Sequence, residues 1–96
     1  MLKVKEFFVY IITNTRDTVF YTGITNDIER RMWEHKNKII KGFTSKYNIE
    51  KLVYLEKHCS SQEAIGREKY IKKLSRKNKL KLIQKNNPDF KDLVEY

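Results

Sequence analysis

The chain has 96 residues, with 21 Lys and Arg against 12 Asp and Glu, for a formal net charge of +9. That length holds one domain (residues 1–96) and one compact core burying roughly 60–65% of the unfolded surface, and 40% hydrophobic residues with only 3 Gly and 1 Pro exclude a disordered chain. The longest apolar run, residues 7–12, is too short to span a membrane, and the charge makes a polyanion the leading partner.

In chain order, Met1 to Glu6 lack the apolar stretch and cleavage site of a signal peptide. Residues 7–13 and 18–24 are β-branched and aromatic and read as strands. Asn14-Thr15-Arg16-Asp17 between them is a turn, and a four-residue loop sets Thr13 against Thr18 and Tyr10 directly across from Tyr21. Such neighbours lie about 5 Å apart on one face. Both faces of the first strand are apolar, as in a central or covered strand. Gly23, near the end of the second, permits a close backbone approach or an unusual dihedral. Thr25-Asn26-Asp27 supplies an N-cap, and Ile28, Met32, His35 and Ile39 recur at helical spacing. This predicts a helix over residues 27–40 that stops at Gly42.

Residues 43–50 read as a loop, and 51–57 as a third strand in which Leu52, Tyr54 and Glu56 alternate against Val53 and Leu55. Ser60 and Glu63 form a capping box. The helix it opens carries Ala64, Ile65, Glu68, Ile71 and Leu74 on one stripe, then breaks around residues 75–78. A last basic helix with Leu80, Leu82 and Ile83 runs to Asn86, and Asn87-Pro88 ends it. The fold expected is α/β, a small three-stranded antiparallel sheet packed with helices.

Glu68 is the sharpest chemical signal in the residues themselves, because a carboxylate interrupts the apolar stripe of Ala64, Ile65 and Ile71. A buried carboxylate requires a cation or a metal; a salt bridge to Arg31, or an exposed edge position, are the structural alternatives. Arg31 and His35 stand one helical turn apart on a stripe flanked by Ile28 and Ile39. A guanidinium presents a fork of donors to phosphate oxygens, and an imidazole exchanges protons near neutral pH, although a core-edge histidine has the same spacing. Tyr10 and Tyr21 are equally ordinary as core aromatics, and a phenol with its usual pKa near 10 is a poor base. Between Arg67 and Lys85 lie nine basic residues and one acid, more one-sided than a solvated helix face that mixes signs. It suits phosphate-backbone contact, which is salt-sensitive and sequence-blind.

Three blocks of the chain resemble the GIY-YIG endonucleases: residues 8–13, residues 21–35 with Tyr21-Thr22-Gly23 and the Arg31/His35 pair, and residues 64–72 around Glu68. Together they span roughly residues 5–87. The first motif is Phe8-Val9-Tyr10 here, so only Tyr10 carries over from it, and Thr22 replaces an Ile in the second. The resemblance implies a nuclease in which Glu68 holds Mg²⁺ or Mn²⁺, Arg31 steadies the scissile phosphate, His35 is catalytic, one tyrosine (Tyr10 before Tyr21) deprotonates the attacking water, and Gly23 is structural support. It also implies DNA contact by Asn87. The basic residues add Arg30, Lys46, Lys69, Lys72, Lys73, Arg76 and Lys77 as candidate phosphate contacts, with Lys46 equally readable as a solvated loop lysine.

The activity expected is metal-dependent hydrolysis of DNA phosphodiester bonds, structure-selective or weakly specific, in repair or recombination, with a partner protein as a source of specificity. The alternative is a non-catalytic nucleic-acid-binding module on the same scaffold. A small RNA- or ribosome-associated basic protein would explain the charge but not an acid and an arginine on core-facing stripes. The single cysteine, Cys59, excludes an internal disulfide and fits a reducing cytoplasm.

Overall fold

The computed structural model describes residues 5–94; the expectation of no leader therefore falls, for residues 1–4, outside the described part. The elements are β1 (Phe7–Thr13), β2 (Phe20–Thr25), α1 (Ile28–Lys36), α2 (Phe43–Lys46), β3 (Lys51–His58), α3 (Ser61–Lys72) and α4 (Arg76–Asn86). The sheet is antiparallel with order β2-β1-β3, so the doubly apolar β1 is central as expected.

Side chains alternate across β1 and divide the interior in two. On the front face Tyr10 and Ile12 pack with Met32 of α1, Ile49 and Leu52. On the back face Val9 and Ile11 pack with Val53, Tyr54, Ala64 and Ile71 of α3, and Ile83 of α4. The register between β1 and β3 shifts between Ile11 and Ile12, which pair with Tyr54 and Leu52 respectively. That bulge turns Leu52 to the front core and Tyr54 to the back, so the simple alternation expected for β3 fails there.

The hairpin register also differs from expectation. Thr13 pairs with Phe20, and Tyr10 with Gly23 rather than Tyr21. The cause is Asn14, whose side-chain oxygen accepts from the backbone N–H of Thr18 (2.8 Å) and Val19 (3.2 Å). Those two residues are thereby held in the loop, where Asp17 adopts a left-handed φ of 56°. The slip is two residues, so every side chain keeps its face.

Helix α1 starts at the Asp27 cap, which accepts from Arg30 N–H, but ends at Lys36, short of residue 40. Lys38 takes a left-handed φ of 55°, Ile39 N–H donates to Glu34 C=O and Lys38 N–H to His35 C=O, which together close the helix. Ile39 is consequently exposed, and Gly42 opens the short α2 inside the expected loop. The Ser60 cap of α3 lies where expected, and the break expected around residues 75–78 falls at Ser75, which caps α4; Ile65, expected on the apolar stripe of α3, is exposed. Among the described residues no helix is long and apolar enough to cross a membrane.

Candidate active site

Tyr10 projects from the central strand onto the front face and is 1% exposed. Its ring lies flat over its cross-strand partner: a Cβ built on Gly23 would overlap Tyr10 Cζ and Oη and come within 2.9 Å of Cε1. Gly23 is thus needed for space, not for an unusual dihedral. Beneath α1, the Tyr10 hydroxyl hydrogen-bonds His35 Nε2 at 3.1 Å. Tyr21 completes a cluster of three rings, its centroid 6.4 Å from Tyr10 and 5.9 Å from His35. The diagonal position produced by the two-residue slip is within aromatic reach.

Burial pushes the Tyr10 phenol well above its usual pKa; Tyr21, Glu68 and Glu34 add to the shift, and the Arg31 guanidinium opposes it. Burial and the Arg31 charge both lower the pKa of His35. The imidazole is therefore neutral at neutral pH, and its buried Nδ1 has no hydrogen-bond partner among the described residues. Tyr10 on its own holds its proton; beside a neutral imidazole it has an acceptor for it.

Arg31 is one-third exposed and makes an ion pair with Glu34 Oε1 at 3.4 Å, a residue the sequence reading did not single out. The i,i+3 spacing of the two was the available signal. The contact is made by Arg31 Nε, which is buried and not aligned for a hydrogen bond; the one-third-exposed guanidinium as a whole presents a fork of donors suited to phosphate oxygens. Glu68 does not pair with Arg31. Its carboxylate, 15% exposed, meets Lys72 Nζ at 3.4 Å, while its charge still acts on Tyr10. Tyr10, Tyr21, Arg31 and His35 thus share the front of the molecule, with the Glu68 charge acting on it from α3.

Among the described residues no three His, Cys, Asp or Glu side chains gather to form a metal cage. A single low-exposure carboxylate instead matches a hydrated Mg²⁺ or Mn²⁺ that completes its shell with waters and substrate phosphate oxygens. The residues fit an ion of that kind.

The other candidates separate. Arg30, Lys46, Lys69, Lys72, Lys73 and Lys77 are exposed, with Lys46 Nζ 5.4 Å from the Tyr47 ring centroid. Arg76 donates to Thr18 C=O at 2.9 Å and stacks over Phe20. Asn87 is 7% exposed and its amide is wholly engaged with backbone: it donates to Val53 C=O (3.1 Å) and Lys91 C=O (2.9 Å) and accepts from Lys91 N–H (3.0 Å). Here it ties the chain after α4 to β3. A groove of 740 Å³ lies elsewhere, between α1, β3 and the segment after α4, lined by Ile28, Met32, Trp33, Leu52, Leu55 and Leu93. Tyr10, Tyr21, Arg31, His35 and Glu68 do not line it.

A second polar cluster lies on the back face. Glu56 receives Arg67 Nε at 2.8 and 3.0 Å, His58 Nε2 at 2.8 Å, and the Tyr54 hydroxyl. Burial alone raises the Glu56 carboxyl pKa, but hydrogen bonds from Tyr54, His58 and Arg67 outweigh it and hold the carboxyl below its ordinary value. Burial and the bond to Glu56 push Tyr54 up to about 12.

The GIY-YIG catalytic-domain profile matches residues 6–81. The chain belongs to the GIY-YIG family. It is 43% identical over 76 residues to a UPF0213 protein of Clostridium perfringens, covering 79% of this chain and 81% of that one. It is 41% identical over 80 residues to a UPF0213 protein of Syntrophus aciditrophicus, covering 82% and 91%. Its fold is similar to the solution NMR structure of a UPF0213 protein from Bacillus halodurans, with TM-score 0.59 and 28% identity over 91% of this chain and 92% of that one. The three-stranded GIY-YIG fold and the nuclease family expected from the sequence are therefore both found.

Proposed function

We propose that this GIY-YIG protein is a divalent-metal-dependent endonuclease that hydrolyses DNA phosphodiester bonds, and the observation that carries the reading is the Tyr10–His35 hydrogen bond at 3.1 Å. Arg31, one-third exposed, binds the scissile phosphate through its guanidinium and stabilises the charge that grows on it. As water attacks phosphorus, its proton passes to the Tyr10 oxygen while the Tyr10 proton moves to His35 Nε2; the P–O bond to the leaving group breaks, the departing oxygen takes a proton from solvent, and His35 returns its proton to solvent. The relay answers the difficulty that burial creates: neither a free phenolate nor a prior imidazolium is needed. Tyr21 flanks the relay and orients the phosphate, and Gly23 keeps the Tyr10 ring in place. Mg²⁺ or Mn²⁺ held by Glu68 would neutralise phosphate charge and favour departure of the leaving oxygen.

Arg30, Lys46, Lys69, Lys73 and Lys77 serve as exposed phosphate contacts, with Lys72 and Arg76 beside them. Such contacts carry no base sequence, so the cleavage is structure-selective or weakly specific, as in DNA repair or recombination, and a partner protein narrows it further. The exposed free thiol of Cys59 suits a reducing cytoplasm.

The test is incubation of the purified protein with supercoiled plasmid and with branched or flapped DNA in Mg²⁺ or Mn²⁺, beside Glu68→Ala and Tyr10→Phe. Metal-dependent nicking lost in both variants, with binding retained, is the expected result. Salt-sensitive binding with no nicking by any protein would favour the non-catalytic binding module. Nicking that survives Glu68→Ala would refute the site.

A further inference from the structure

On α3, Arg67 and Glu68 are consecutive, so they project about 100° apart. Arg67 reaches β3, where its Nε donates to both oxygens of the Glu56 carboxylate at 2.8 and 3.0 Å while the same guanidinium lies over the Tyr70 ring, Cζ 5.2 Å from its centroid. Glu56 is itself fixed by Tyr54 and His58 from the same strand and is 14% exposed. Glu68 keeps its carboxylate 15% exposed beside Lys72, and its charge acts on Tyr10. Its own ion-pair partner, Lys72, rides on α3 and turns with it, so that pair cannot set the rotation of the helix. The residue before Arg67 is Gly66, where a Cβ would meet nothing within 4 Å. No packing demands a glycine there, and it lowers the helix propensity immediately ahead of the site.

We infer that the Glu56–Arg67 clamp is a positioning device that sets the rotation of α3 and thereby aims the Glu68 carboxylate into the front-face site. The inference rests on the proposed role of Glu68. A helix is about 10–12 Å across with its side chains, so 10° of rotation moves a side-chain tip by about 1 Å. A misplacement of that size lowers catalysis by about 10²-fold. Arg67 and Glu56 touch no substrate atom in this scheme. The competing view is that Ala64 and Ile71 fix the helix by packing alone and the clamp merely adds stability.

The deciding experiment titrates Mn²⁺ alone into isotope-labelled protein and follows paramagnetic broadening of the Glu68 amide, with the Mg²⁺ requirement of nicking as a second readout. Glu56→Gln with Arg67→Met removes both charges together, so neither is left buried and unpaired. The same pair with Gly66→Ala restores helix propensity, and Arg67→Lys keeps the charge without the fork. Broadening in the wild type that weakens about 10-fold or more in the clamp-free protein supports the clamp, provided Gly66→Ala recovers urea stability but not Mn²⁺ affinity. Arg67→Lys should fall between, and it decides the matter if the charge-free pair does not fold. An unchanged Mn²⁺ midpoint in the folded clamp-free protein, or recovery of affinity by Gly66→Ala, overturns the clamp alone. Absence of Glu68 broadening in the wild type overturns the metal reading and the clamp with it.

Discussion

Gly23→Ala separates two opposing effects at one atom. In an ordinary strand the change is favourable by about 0.5–1 kcal/mol, because alanine loses less conformational entropy on folding. Here the added methyl overlaps the Tyr10 hydroxyl carbon and oxygen, and Tyr10 cannot swing aside freely because Ile12, Met32, Ile49 and Leu52 share its core. Overpacking of that kind costs about 1–3 kcal/mol, and losing the bond to His35 removes about 1 kcal/mol more. Steric displacement outweighs the entropy gain, leaving a net destabilisation of about 1–3 kcal/mol. With a urea m-value of about 1 kcal/mol/M for a small domain, the unfolding midpoint should fall by about 1–3 M. Nicking should fall by about 10²-fold as the ring moves. A variant as stable as the wild type, with unshifted Tyr10 resonances, would refute the account of Gly23.

Acidification should weaken the fold through His35. Its folded pKa lies below the unfolded value of 6.5, so the unfolded chain binds the proton first and stability is lost as pH falls through 6.5 toward the folded pKa. Urea titrations across pH 7 to 5 should show that slope in the wild type and a shallower one in His35→Gln; equal slopes would contradict it. Asn87→Ala should cost about 1–3 kcal/mol by leaving Val53 C=O and the Lys91 backbone groups unpaired, with the salt dependence of DNA binding unmoved. A changed salt slope would restore Asn87 as a phosphate contact. Neutralising Lys69, Lys73 and Lys77 together to Gln should instead flatten log K against log salt by about 0.9 for each phosphate that no longer meets a lysine, and fluorescence anisotropy at several salt concentrations measures it.

What was legible in the sequence was whatever depends on local pattern. The β-branched runs of β1 and β2, the Asp27 and Ser60 caps and the buried Ala64 and Ile71 of α3 all act through near neighbours and lie where the pattern puts them, whereas Ile65, read on the same stripe, is exposed. Register and helix ends were hidden by single side chains with backbone-like hydrogen bonds. Asn14 draws Thr18 and Val19 out of the strand, and a left-handed Lys38 ends α1 with no glycine to announce it. Within the site, the identities of Tyr10, Tyr21, Arg31, His35 and Glu68 were readable, but their partners were not. Arg31 takes Glu34 in place of Glu68, because a partner one turn away on the same helix precedes one on another element. The Glu56–Arg67 pair joins residues 11 apart through a strand, a turn and a helix, a relation no periodicity encodes.

The parity of β1 has a consequence for how such a domain can diverge. Even-numbered Tyr10 and Ile12 belong to the chemical face and odd-numbered Val9 and Ile11 to the opposite core. Volume-conserving substitutions at Val9, Ile11 and Val53 behind the sheet therefore leave Tyr10 in place, whereas Glu68 depends on α3, which packs on that rear core. A single-residue insertion ahead of Tyr10 is a different event: it exchanges the two sets of side chains and sends a tyrosine into the apolar rear. Changes of length are thus better tolerated in the 14–19 loop than in the central strand, where they move side chains from one face to the other.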